Sequence, residues 1–265
     1  MKKYLLLISV ALNVYADDSG IQYLELNKPH YVIGNKARVR VEADINAAVA
    51  AELPIGAEVI PTEQVNNATT IDGVEAPWYR VQFKQAGKPK DGFIWGNLIA
   101  KGAAKSKDGL IFMFGTGRKQ KDLSVGTEYT SQFRVAKDGK ELAKLEIKEG
   151  VDFKSKQTVT LTDGRGLEGV QHIFAVEFLQ EYCGGKGNTM FLFWTGEKLI
   201  HAHSSFDGSD APYYATEKQV FPTDKGGKKD MVILLRETGE HEVPKSVKKE
   251  KVSLKWNGKK LEKPK

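Results

Sequence analysis

Cys183, in the stretch EYCGGKGNT, and the pair His201 and His203, in LIHAHSSFDGSD, carry the side chains best suited to chemistry in this sequence. A cysteine nucleophile needs a base within reach and gains from a helix amino terminus, where the thiolate is favoured over a thiol whose free pKa is about 8.5. Cys183 instead follows the apolar run Ile173 to Leu179 and precedes Gly184 and Gly185, which reads as a strand and then a turn. The expectation is a small thiol with no catalytic duty. His201 and His203, two apart on a strand, would point to one side and reach a common ion, but a catalytic zinc needs a third protein ligand. Asp207, Asp210 and His172 are candidates that the spacing does not place. The pair is therefore read as two histidines on the wet face of a strand, and no metal is expected. FPTDKGGKKD and FDGSD hold oxygen ligands of the kind calcium takes, yet Lys225, Lys228 and Lys229 would repel the ion. No glycine-rich loop follows a strand and opens a helix, so no phosphate-bearing cofactor is expected either. The residues point away from an enzyme.

The elements that must hold these residues are strands. Ala37, Val39 and Val41 alternate with Arg38, Arg40 and Glu42, and Val252, Leu254 and Trp256 alternate with Lys251, Ser253 and Lys255. This period of two marks a strand with one wet face. KELAKLEIK, Lys140 to Lys148, reads the same way, with Ala143, Leu145 and Ile147 on one side and Lys144, Glu146 and Lys148 on the other. WTGEKL, WNGKKL and KDGKEL each run an apolar strand into a Thr, Asn or Asp followed by Gly, the residues of tight hairpin turns. Their recurrence is read as the ordinary turn chemistry of an all-β chain, not as blades of a propeller. No long helix is expected.

The sequence divides into four parts. MKKYLLLISVALNVYA, residues 1–16, has two lysines before an apolar run and ends on Val14, Tyr15 and Ala16, the pattern of an export signal. Residues 17–100 form a first module. KGAAKSKDG, residues 101–109, is small and charged with nothing evident to bury, and reads as a linker. Residues 110–265 form a larger antiparallel β-domain. Removal of Lys2 and Lys3 takes the formal charge from +6 to +4, and Lys245 to Lys265 alone carries nine Lys against two Glu. The body is thus mildly acidic and the tail basic. A single cysteine forms no intramolecular disulfide, so the fold must stand on packing.

Within the first module ARVRVEAD, AVAAELPIGAEVIP, WYRVQF and DGFIWGNLI follow one another in order. In order and spacing they resemble a bacterial SH3 domain, with Arg40 at that family's arginine position and Gly56, Gly92 and Gly96 at its corners. The resemblance covers about seventy residues, around a quarter of the chain. It implies a small SH3-like barrel that binds a peptide or peptidoglycan in the cell envelope and catalyses nothing. It departs from the family where Ala43-Asp44 replaces the usual Gly-Pro and where NNATTIDGVEAP lengthens the loop before Trp78. On this resemblance Tyr31, Tyr79 and Trp95 are the ligand-binding candidates, Trp95 either as a stacking platform in a peptide groove or as a barrel corner packed over the core. Cell-wall cysteine peptidases often carry such domains, so a hydrolase using Cys183 with a histidine is a rival, as is a purely structural envelope protein. The lysine-rich tail offers contact with anionic envelope polymers, or is the charged edge of a sheet protected against aggregation. An exported protein is not expected to meet nucleic acid, and no segment of the mature chain reads as transmembrane.

Overall fold

A computed structural model describes residues 15–16, 22–122, 127–148, 156–179 and 187–264. Cys183 lies outside the described residues, as does all of the export segment except Tyr15 and Ala16. The fold is all-β, with antiparallel pairing between every pair of neighbouring strands and one 3-10 turn among the described residues. No helix among them is long and apolar enough to cross a membrane.

After the short pair β1 (Tyr15–Ala16) and β2 (Gln22–Tyr23), the first module builds six strands: β3 (His30–Tyr31), β4 (Ala37–Arg40), β5 (Val49–Leu53), β6 (Glu58–Ile71), β7 (Val74–Gln85) and β8 (Lys88–Trp95). Their order is β3-β6-β7-β8-β4-β5. Asp72 and Gly73 both take positive φ, 51° and 76°, at the β6–β7 turn, which is why an Asp-Gly pair stands there. A 3-10 turn over Gly96–Leu98 leads to Ile99, which bridges back to Val32. The core under this sheet is Val32, Val39, Leu53, Val59, Tyr79, Val81, Ile94 and Ile99.

A four-stranded sheet follows, β9 (Gly102–Lys105), β10 (Ile111–Asp122), β11 (Thr127–Lys137) and β12 (Lys140–Ile147), in order β12-β11-β10-β9. The chain then runs as an eight-stranded meander: β13 (Lys156–Asp163), β14 (His172–Leu179), β15 (Gly187–Trp194), β16 (Leu199–Asp210), β17 (Tyr213–Val220), β18 (Met231–Glu240), β19 (Val243–Trp256) and β20 (Leu261–Glu262). Strand β16 pairs with β15 through Asp207 and with β17 only through Gly208, Ser209 and Asp210, so it carries the meander from one layer to the next. Phe174, Val176, Phe178, Met190, Leu192 and Trp194 pack against Phe112, Phe114 and Phe133 of the four-stranded sheet. Ile173 and Phe193, on the opposite face, pack against Phe221, Val232, Leu234 and Trp256. Strands β14 and β15 are thus covered on both sides, which accounts for the nearly unbroken apolar run from Ile173 to Leu179.

Residues 101–109, expected to be a linker with nothing to bury, are built into the structure. Ala103 pairs with Met113, Gly102 and Ala103 are buried, and Ser106 to Gly109 form the turn into β10. Small residues here serve close packing. A Cβ on Gly102 would lie 2.6 Å from Cγ1 of Val159. Ile33, Ile55 and Ala100 of the first module form one buried group with Ala103, Ile111, Met113 and Ala136. The first module therefore does not end at a free hinge, and a chain cut after Lys107 would strip Ile33 and Ile55 of their cover.

Met113 is fully buried in that group. Met113→Ala should lower stability by about 2–5 kcal/mol, the usual cost of truncating a buried long side chain, measured by denaturant titration. Lys101 leaves the same region with only part of its side chain reaching solvent, and desolvation pushes its ammonium down to about 7. Because the folded value lies below the unfolded one, the unfolded chain binds the extra proton between them, and stability rises as pH climbs from about 7 toward the ordinary lysine range. Lys101→Met should remove that rise in a pH series of thermal melts.

Candidate functional site

The three aromatics expected to bind ligand go to three different places. Tyr79 is buried in the core of the first sheet, where its hydroxyl accepts from the Leu24 N–H at 3.1 Å and donates to Oε1 of Gln64 at 3.1 Å. Tyr31 is half-buried against the group that joins the two modules. Trp95 is 6% exposed and stands opposite Trp78 across β7 and β8. The two indoles share an anchor: Trp95 Nε1 donates to the Thr69 carbonyl at 3.0 Å, and Trp78 Nε1 to the Thr69 hydroxyl at 2.8 Å. Gly96 follows Trp95 because a Cβ there would lie 2.8 Å from the Pro77 carbonyl oxygen and 2.9 Å from the Tyr79 ring. The Trp-Gly pair is a packed corner. No single groove unites Tyr31, Tyr79 and Trp95.

Trp95 does reach one concavity, on its other side. An open cleft of about 170 Å³ lies where the end of the first sheet overhangs the four-stranded sheet. Trp95 and Asn97 form one wall; Arg118, Arg134, Lys144 and Glu146 line the other. Arg134 is the cross-strand partner of Lys144, and Gln132 of Glu146, so these side chains project together from the face opposite Phe133 and Leu145. Period-two alternation dictates that arrangement.

The charges in the cleft are ordered. Arg118 donates from Nε and Nη2 to the two oxygens of Glu146 at 3.1 and 3.0 Å, and the Thr130 hydroxyl adds a bond to Oε1 at 2.6 Å. The Arg118 guanidinium, helped by Thr130, holds the Glu146 carboxyl down at about 2. Arg134 donates to Glu141 at 2.9 Å and to Gln132 at 3.1 Å. Lys144 is exposed and has no carboxylate within ion-pair distance among the described residues. The cleft thus offers two oriented guanidinium groups, one unpaired ammonium and an indole edge, which suits carbonyl and carboxylate groups of a ligand.

The histidine pair does not share a side. A β-bulge in β16 sets His203 opposite Phe191 but His201 opposite Leu192, with Ala202 as the extra residue. His203 stacks on Phe191 and meets Oε1 of Glu217 at 2.5 Å, while His201 meets the Ser204 hydroxyl at 2.8 Å. Burial pushes the Glu217 carboxyl up, but hydrogen bonds from His203 and Arg236 outweigh it and hold the group below its usual range. His172 lies 3.7 Å from Asp108. Among the described residues no three His, Cys, Asp or Glu side chains gather as a metal site.

In the basic tail, Lys251 and Lys255 of β19 are exposed while Val252 and Leu254 pack inward. β20 covers only Lys255 and Trp256, so most of that strand's outer edge is open and lysine-rich. Arg118 and Arg134 had no sequence signal beyond alternation, since nothing local told that the first sheet would stand over them.

No protein-family model matches this chain, and neither a curated protein nor a solved structure matches it.

Because the folded Glu146 value lies below the ordinary carboxyl one, its stabilising pair with Arg118 is complete above the ordinary value and lost as pH falls toward 2. Arg118→Ala should move the Glu146 midpoint up toward the ordinary range in an NMR titration of the side-chain carboxyl.

Proposed function

We propose that this chain is an exported, non-enzymatic binding protein of the cell envelope, and that it takes a peptide or a peptidoglycan component in the cleft between Trp95 and the outer face of the four-stranded sheet. The observation that carries this reading is the cleft itself: an open concavity with an aromatic wall, two guanidinium groups held in place by carboxylates, and Lys144 without an acidic partner among the described residues. Ordered guanidinium donors match the carbonyl and carboxylate oxygens of a peptide, and an indole edge covers its apolar parts. The SH3-like reading of residues 17–100 draws support from the closing hairpin Trp78 to Trp95 with its 3-10 turn, although β6 and β7 run to 14 and 12 residues. The ligand site, however, is assigned to the junction with the following sheet and not to Tyr31 and Tyr79. The lysine-rich edge of β19 adds a surface for anionic envelope polymers, whose attraction weakens with salt.

Pull-down of the purified protein on peptidoglycan tests the reading. Lys144→Ala removes an exposed side chain with no ion pair, so the melting temperature should hold while binding falls about tenfold, or about 1.4 kcal/mol. Trp95→Ala should lower both stability and binding, and its binding must be normalised to folded protein. Unchanged binding of the Lys144→Ala and Arg134→Ala variants would remove the cleft as the site.

A further inference from the structure

The side chains of the cleft at Trp95 hold more free hydrogen-bond donors than free acceptors. Both oxygens of Glu146 are occupied, Oε1 by Arg118 Nε and the Thr130 hydroxyl, Oε2 by Arg118 Nη2. Gln132 is occupied as well, its Nε2 by the Thr116 carbonyl and its Oε1 by Arg134 Nε. Arg134 gives Nη1 to Glu141, which leaves its Nη2 without a hydrogen bond among the described residues. Lys144 Nζ has none there either. The Asn97 amide, half-buried on the opposite wall, is also unbonded among the described residues and offers both a donor and an acceptor.

The charges narrow the ligand further. Arg118 is matched by Glu146 and Arg134 by Glu141, so Lys144 is the cation of the lining that lacks a carboxylate among the described residues. Arg134 is its cross-strand partner, and with a side chain 14% exposed, against 82% for Arg118, it is the guanidinium better shielded from water and salt. Asp72, at the β6–β7 turn, also lines the cleft. One negative charge beside Lys144 completes this set, whereas a polyanion would meet Asp72 and Glu146 as well.

The geometry points to recognition of the carboxy-terminal residue of a peptide. Its terminal carboxylate lies between Lys144 Nζ and Arg134 Nη2, its last amide meets Asn97, and its side chain rests against Ile71, Val74 and the Trp95 indole. The assignment rests on the cleft being the peptide site proposed above and adds which end of the peptide enters it. A terminal carboxylate is preferred over a backbone carbonyl because both donors are cationic, and hydrogen bonds between ionised partners are roughly twice as strong as neutral ones.

Acetyl-Ala-Leu, as the free acid and as its carboxamide, is titrated against the full chain by heteronuclear NMR, with the Trp95 indole N–H as reporter. The acid should bind saturably and about tenfold more tightly than the carboxamide. Lys144→Gln keeps much of the side chain and drops its charge, so it should bring the acid down toward the carboxamide at unchanged melting temperature and leave the carboxamide as it was. Equal affinity of acid and carboxamide would overturn the inference and leave the cleft as a peptide site. Acid binding unaffected by both Lys144→Gln and Arg134→Gln would overturn it too, as would inorganic sulfate binding as tightly as the acid, which would mark an anion site with no seat for a peptide end. If neither peptide binds, the inference falls, and the peptidoglycan pull-down with Lys144→Ala shows whether the cleft reading falls with it.

Discussion

Ile33, Ile55 and Ala100 from the first sheet close on Ala103, Ile111, Met113 and Ala136 from the second, and the geometry of the chain's candidate site depends on that contact. Burial of these side chains replaces a hinge with a weld, because apolar surface that leaves water here is shared by both sheets and cannot be recovered by either alone. The small residues make it possible. Gly102 and Ala103 let β9 pack closely against its neighbours, and the cleft beside Trp95 is lined from both sheets, by Trp95 and Asn97 on one side and Arg118, Arg134 and Lys144 on the other.

Beyond the weld the architecture is a matter of covering faces. Strands β14 and β15 carry large apolar side chains on both sides, so they need a layer in front and another behind. The four-stranded sheet supplies one and β17 to β20 the other. Strand β16 makes the passage, and its bulge at Ala202 has a chemical consequence as well as a geometric one. By turning His201 to the front and His203 to the back, it separates two potential metal ligands and gives His203 to Glu217 and Arg236.

Polar groups divide according to whether the fold completes their bonds. Trp95, Trp78, Arg118, Arg134 and Glu217 are all tied to partners, and their orientation follows from those ties. Gln157, Ser131 and Asn188 are placed as firmly by strand register but lack partners among the described residues. The outer face of the four-stranded sheet carries ordered charge, while its inner face is aromatic and apolar.

Alternation of side chains by itself determined that the chain is all-β, that Lys140 to Ile147 is a strand with Lys144 and Glu146 on its wet face, and that Lys251 and Lys255 flank packed residues. Those properties are local: they follow from the two-residue period of a strand and from the turn preferences of Gly, Asn and Asp. Tertiary structure alone decided the rest. Residues 101–109 read as a spacer because small side chains look idle until another sheet lies on them, and only the approach of Val159 and Ile33 gives Gly102 and Ala103 their task. Trp95 read as a packed corner or, less readily, as a platform, because an indole suits both, and the Thr69 carbonyl and the Trp78 ring show how it packs. His201 and His203 read as a same-side pair because a regular strand would make them so, and one extra residue in β16, a feature of pairing with β15 that local composition does not encode, turned them apart.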